Sequence, residues 1–313
     1  MAVDLHLRRK NVTGDRYMGS AESASIASKG GEKVNRVYRS PFQSCPICAH
    51  RAASVVCIAN CTGHPIWHRP LPEKLTWLRC DACSHVFTDS FYSVDGLEEL
   101  FRNAIPGQLA RGDLEKQRIL WAPVVERVLQ ALPERAGLFN GDPFTWLDVG
   151  CGSGGLVATA DEFGFTATGL DLREEAVRLI CDLGYQARCG DLLGLEASEP
   201  INVISMADLL EHTTYPVAVL RKAHALLDHK GVLFLSCPNR DSGSWRQMDR
   251  DGTNPYWREI EHHHNFSRKS LLWILQQSGF SPVSYSISSR YIACMEIVSV
   301  KLPLTESAAT RAT

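Results

Sequence analysis

From Phe144 onward, apolar residues follow two alternating rhythms. Short apolar runs predict strands at Thr145–Val149, Thr166–Asp171, Tyr185–Arg188, Ile201–Met206, Val232–Cys237, Val283–Ser288 and Tyr291–Val298. Between them, apolar positions recurring every three or four residues predict helices at Gly154–Phe163, Arg173–Leu183, Pro216–Leu227 and Arg268–Ser278. Alternation of this kind needs crossover connections, so the sheet is mostly parallel and covered on both faces. Only Ser289 and Arg290 separate the last two strands, which predicts a hairpin and one antiparallel strand. The fold class is α/β.

Upstream the pattern changes. Leu114 to Leu132 carries one apolar helical face, which Pro123 kinks or restarts. Residues 41–92 hold six of the eleven cysteines and short β-like runs at Ala53–Ile58, Leu75–Arg79 and His85–Thr88. The expected organisation is a disordered arm (1–40), a small cysteine unit (41–92), a helical connection or lid (93–143), the α/β domain (144–302) and a disordered tail (303–313). The 33 basic and 35 acidic residues leave a net charge of −2, so no global basic field draws in nucleic acid. No apolar run is long enough for a membrane span. The N-terminus lacks the apolar core of a secretory signal.

Cys45-Pro46-Ile47-Cys48 and Cys80-Asp81-Ala82-Cys83 are two CxxC knuckles separated by 31 residues. Four thiolates so arranged fit tetrahedral zinc in a zinc-ribbon-like unit, a closed and hence structural site. They imply a reducing, cytoplasmic setting. Cys57, Cys61, His64 and His68, inside the intervening loop, are alternative ligands. Cys151, Cys181, Cys189, Cys237 and Cys294 read as small buried hydrophobes.

The most informative stretch is Trp146-Leu147-Asp148-Val149-Gly150-Cys151-Gly152-Ser153-Gly154-Gly155. A strand enters a glycine cluster and a helix follows. Gly150, Gly152 and Gly155 satisfy the dinucleotide fingerprint GxGxxG. Asp148, however, would repel a pyrophosphate and suits a ligand with a cationic amino group. S-adenosylmethionine is such a ligand. Asp171, 23 residues after Asp148, stands at the next strand end, where a carboxylate can hold a ribose diol. Asp191 can accept from an adenine amino group, and Leu192 offers a backbone N–H.

These segments, followed by Asp208-Leu209-Leu210-Glu211-His212, resemble the motif order of the class I S-adenosylmethionine-dependent methyltransferases. The resemblance covers about residues 114–300 and implies a Rossmann-like seven-stranded sheet. It also implies cofactor contacts from Gly150, Gly152, Gly154, Asp171, Leu172, Asp191, Leu192 and Ala207, with Asp148 beside them. The cysteine unit ahead of such a domain looks like a bacterial group that includes sugar C-methyltransferases. Those carry a further C-terminal domain, whereas this sequence stops just after the sheet.

Glu211 and His212, with His262 of the Glu261-His262-His263-His264 run, are the candidate catalytic residues, a histidine acting as general base. The segment is similar to the E-x-x-E-H motif of metal-assisted O-methyltransferases. Its first position is Asp208, whose shorter side chain argues against a catalytic divalent metal. His263 is expected at the surface. Trp245, Tyr256 and Trp257 are expected to line an acceptor site, with the cysteine unit and the helix from Leu97 as its wall. The expected activity is methylation of a small-molecule acceptor, a sugar nucleotide or secondary metabolite, on oxygen or carbon. The rivals are an RNA methyltransferase gripping RNA with its zinc unit and a non-catalytic binding module. The sequence leaves the oligomeric state open.

Overall fold

The computed structural model describes residues 38–102, 114–133 and 144–303. Residues 1–37 of the expected arm, 103–113 and 134–143 of the expected connection, and 304–313 of the tail lie outside the described residues.

Seven strands form the main sheet: β6 (Thr145–Val149), β7 (Thr166–Asp171), β8 (Gln186–Cys189), β9 (Ile201–Ala207), β10 (Leu227–Pro238), β12 (Phe280–Ile287) and β13 (Cys294–Lys301), numbered within the whole chain. Their order is β12-β13-β10-β9-β6-β7-β8, and β13 alone runs against its neighbours. The chain steps outward from β6 to β7 and β8, then returns to the other side of β6 with β9. Strand order therefore reverses between β6 and β9, and a crevice opens beyond their carboxyl ends.

The inner strands β6, β9 and most of β10 are buried on both faces, as their continuous apolar runs require, whereas the edge strands β8 and β12 are largely exposed or alternate. On one face Leu147, Ile204 and Leu235 pack against Leu220 of α5 (Pro216–Leu226) and Leu271 and Ile274 of α7 (Arg268–Gln277). On the other, Trp146, Val203 and Phe234 meet Val125 and Val128 of α2 (Leu114–Ala131) and Val157 of α3 (Gly155–Glu162). Helix α2 contains Pro123 and continues through it to Ala131, so the expected restart does not occur. The β12–β13 connection spans residues 288–293 and is longer than the two-residue hairpin the pattern implied.

The cysteine unit is a second sheet, ordered β11-β4-β3-β2, of β2 (Ala53–Asn60), β3 (Lys74–Cys80), β4 (Val86–Thr88) and β11 (His264–Asn265). Its last strand comes from the histidine run of the α/β domain, with His264 opposite Phe87 and Asn265 opposite Val86. Cys45, Ile47, Cys80 and Phe87 belong to the same apolar cluster as Leu147 and Ile204, so the unit shares the main core. A strand pair, β1 (Arg39–Pro41) with β5 (Ser90–Tyr92), flanks it, followed by α1 (Val94–Phe101). Between β10 and β11 the chain forms α6 (Gly243–Asp251), which periodicity did not reveal because Trp245 is its only buried residue.

Candidate functional site

The glycine bend follows β6. Gly150, Gly152 and Gly154 have φ of +73°, +53° and +82°, a region that side chains with a Cβ rarely adopt. The N–H groups of Gly150 and Cys151 both donate to the Leu170 carbonyl, at 2.7 and 3.2 Å, and pin the bend to β7. A Cβ on Gly150 would stand 2.9 Å from Leu209 Cδ1, and one on Gly154 2.6 Å from Ile180 Cγ1. At Gly152 nothing among the described residues lies within 4 Å of that position, so this is the open side of the bend. A Cβ on Gly155 would run into Gln117 of α2, so the third glycine of the dinucleotide fingerprint is explained by helix packing.

Three carboxylates stand in a row along the strand ends. Asp148 on β6 is 3% exposed and accepts from Ser205 Oγ at 2.6 Å; that oxygen accepts in turn from Trp146 Nε1 at 2.8 Å. Asp171 ends β7, and its Oδ2 accepts from the Gly152 N–H at 3.0 Å. Its two oxygens also take the Arg173 guanidinium, at 3.0 and 3.1 Å. Against the desolvation of burial, these Arg173 hydrogen bonds hold the carboxyl below the usual range. Asp191, beyond β8, is exposed and accepts from the Leu193 N–H at 2.5 Å, and Leu192 beside it is buried. The Leu172 side chain is 59% exposed, and Ala207 is half-buried at the end of β9. The open glycine and the buried acids fit an adenosine carrying a cationic amino acid. A doubly charged phosphate would meet the ionised Asp171.

Burial pushes the Asp148 carboxyl up to about 7, with the facing Asp171 adding to the shift and Arg290 and Ser205 opposing it. The folded protein then keeps a proton that the unfolded chain has released, so stability falls as pH rises from the unfolded value towards 7. In urea unfolding, the stability advantage of wild type over Asp148→Asn is expected to shrink by roughly 2–3 kcal/mol between about pH 5 and pH 8. A pH-independent difference would show that Asp148 is not held protonated.

The acceptor side lies beyond β9. Asp208 has a left-handed φ of 51°. Its N–H donates to Ser236 O at 3.0 Å, and its Oδ2 accepts from Arg290 at 2.7 Å. Arg290, on the β12–β13 connection, also donates to Ser236 Oγ at 2.7 Å and to Glu296 at 3.4 Å. Its guanidinium lies 3.9 Å from the Trp121 ring centre on α2. Arg127 of the same helix pairs with Glu296. Sequence reading did not find this Arg290 network. Its members are scattered over more than 160 residues, and only the lone arginine in the hairpin could have pointed to it.

Glu211, His212 and His262 come together: one ligand atom from each lies within 4.8 Å of the others. Glu211 is 1% exposed and His262 7%, and among the described residues neither Glu211 Oε2 nor His262 Nδ1 has a hydrogen-bond partner. The His212 ring stands edge-on to His262 at 4.6 Å, and its Nδ1 lies 3.3 Å from the Glu261 carbonyl. Asp208 is not part of this group because Arg290 holds it. His263, expected at the surface, is 1% exposed: its N–H donates to the Glu211 carbonyl at 2.8 Å, and its carbonyl accepts from Thr88 at 2.9 Å. Of the expected acceptor-lining aromatics, Tyr256 reaches the cluster, stacking on His262 at 6.3 Å. Trp245 stacks behind Tyr256 at 5.0 Å, and Trp257 packs edge-on to Trp245 and Trp77.

The four knuckle cysteines also converge. Cys45 and Cys83 sulfurs are 3.7 Å apart, and Cys48 and Cys80 sulfurs 3.5 Å. Sulfurs bound about 2.3 Å from one zinc stand roughly 3.8 Å apart. The two knuckles repeat each other: Ala49 and Ser84, each just after the second cysteine, have φ of 60° and 61°. Each donates its N–H back to the first cysteine's carbonyl, at 2.9 Å. The alternative ligands do not gather: His64 pairs with Glu259, His68 with Glu99, and Cys61 Sγ turns to the Ala59 carbonyl. Cys151, Cys237 and Cys294 are buried as expected, but Cys181 and Cys189 are exposed, one on an outer helix and the other at the sheet's edge strand.

Residues 116–285 match the family described as a methyltransferase domain. The ubiquinone biosynthesis O-methyltransferase of Caulobacter vibrioides is 30% identical over 104 residues, 31% of this chain and 41% of that protein. The enzyme of the same name from Pseudomonas paraeruginosa is 33% identical over 118 residues, 35% of this chain and 50% of its own length. This chain thus spans half or less of the length of these two relatives. Among solved structures, magnesium protoporphyrin IX methyltransferase from Synechocystis, with S-adenosylhomocysteine bound, superposes with a TM-score of 0.52 at 19% identity, over 67% of this chain and 100% of that one. Burkholderia thailandensis 1,6-didemethyltoxoflavin-N1-methyltransferase gives 0.51 at 18% identity, over 71% and 98%. At such identities both likenesses establish the fold.

Proposed function

This chain belongs to the methyltransferase domain family, within the class I S-adenosylmethionine-dependent methyltransferases, and on that premise we propose that it methylates an oxygen or carbon of a small-molecule acceptor. The carrying observation is the open side of Gly152, set beside the buried Asp148 and Asp171 at the point where strand order reverses. When bound, S-adenosylmethionine supplies the methyl group on its sulfonium. Asp171 offers its oxygens to the ribose diol once Arg173 gives way, and Asp191 and Leu192 face the adenine. Across the crevice, His212 or His262 takes the proton from an acceptor hydroxyl, and Glu211 orients the pair. The ubiquinone-pathway relatives favour a small acceptor, and the charge of −2 weighs against RNA.

Calorimetry is expected to show uptake of adenosylhomocysteine and indifference to NADH; the reverse pattern would refute the cofactor reading. Tritium from labelled S-adenosylmethionine should enter the small-molecule fraction of a cell extract. Label in RNA would support the nucleic-acid rival, and binding without transfer the non-catalytic module.

In the cysteine unit, Cys45, Cys48, Cys80 and Cys83 hold one structural zinc. The convergence of Glu211, His212 and His262, with two unpartnered ligand atoms, favours a second reading of the acceptor site. A divalent cation held there would lower the acceptor's pKa. Manganese titration followed by electron paramagnetic resonance should then show one site, absent in His262→Ala. Full methyl transfer in the presence of a weak chelator would leave the histidine base as the mechanism.

A further inference from the structure

The histidine run does more than supply His262. His264 is fully buried, its Nε2 lies 2.8 Å from the Thr213 carbonyl, and its Nδ1 lies 3.1 Å from His85 Nε2. A carbonyl only accepts, so His264 carries its proton on Nε2, and Nδ1 accepts from the His85 Nε2–H. His85 stands two residues after Cys83 of the second knuckle, and its carbonyl accepts from the Cys80 N–H at 2.9 Å. Thr213 follows His212 directly. One buried chain of bonds thus runs from a zinc-ligand cysteine through two imidazoles to the carbonyl next to a candidate catalytic histidine.

We infer that His264 is a positioning residue: it transmits the geometry of the tetracysteine knuckle to the Glu211–His212 segment and so sets how that segment meets His262. A cysteine site with no open coordination position then serves the acceptor site by holding it in place. The inference rests on assigning Glu211, His212 and His262 to the acceptor side. It does not depend on which acceptor is methylated or on whether a second metal binds.

The two nitrogens of His264 can be tested apart. Glutamine at 264 puts an amide near the Nε2 position and keeps the bond to Thr213 while dropping His85. Asparagine does the opposite. The full chain would be labelled with ¹⁵N-histidine, and the ring signals of His212 and His262 followed with zinc present and after its removal by a chelator. In the zinc-loaded protein, each substitution cuts the relay at one end, so His264→Asn and His264→Gln are both expected to move the two signals. Zinc removal is expected to move them in wild type and not in His264→Gln. Adenosylhomocysteine affinity should stay within about threefold in every sample. If zinc removal unfolds the chain, His85→Asn cuts the same link with the metal in place, and should move the signals in wild type but not in the His264→Gln background. Signals that ignore both zinc and His85, or that respond to either as fully with glutamine at 264 as in wild type, would overturn the inference. Failure of wild type to bind adenosylhomocysteine would instead refute the cofactor reading and leave this one standing.

Discussion

Replacing Asp171 with alanine is expected to weaken adenosylhomocysteine binding by on the order of a hundredfold or more, with the sheet intact. Each hydrogen bond to a charged acceptor contributes about 1.5–3 kcal/mol, and a ribose diol would lose two. Asp171 also accepts the Gly152 N–H at the open point of the bend, so the substitution removes both the ligand contact and the bond that fixes the loop beside it. The sheet should survive because β7 is held by its ladders to β6 and β8, in which this side chain takes no part. Arg173 →Ala is the informative companion. Its guanidinium covers the same carboxylate oxygens, so its removal should not weaken binding comparably. Calorimetry on both variants, with circular dichroism to verify folding, checks this. Wild-type affinity in the Asp171 variant would mean that the ribose is held elsewhere.

The second large effect is expected at the cysteine unit. Metal analysis should find about one zinc per chain in the wild type and almost none in Cys80→Ser. Structural zinc sites carry apparent binding free energies of roughly 10–16 kcal/mol, comparable with the whole stability of a domain. Cys80 and Cys45 lie in the same apolar cluster as Phe87, Leu147 and Ile204, so the damage should spread beyond the knuckles. Hydrogen exchange should rise first in β3, β4 and β11, and the melting temperature should fall by about ten degrees, on the order of a 3–5 kcal/mol loss for a domain of this size. A variant with full zinc content and unchanged melting would rule out Cys80 as a ligand.

What could be read from the chain follows a physical division. The glycine bend was legible because positive φ at Gly150, Gly152 and Gly154 narrows the choice to one residue type. The knuckles were legible because a tight turn brings two cysteines three residues apart together, and the inner parallel strands because burial on both faces leaves continuous apolar runs. Positions fixed by distant partners left no such trace. Arg290 looked like a turn residue but answers Asp208, 82 positions away. His263 looked like a surface residue because its neighbours, Thr88 and Glu211, are remote in sequence. The two-residue strand His264–Asn265 is too short to show a period.

That short strand also constrains how the protein is made. Its imidazole contact with the second knuckle joins residues 179 positions apart. The five strands β6 to β10 of the main sheet must therefore be synthesised before the small cysteine sheet can close. Until then the nascent hairpin exposes an unpaired edge, and truncations that stop short of Asn265 should be prone to aggregation even with every cysteine present.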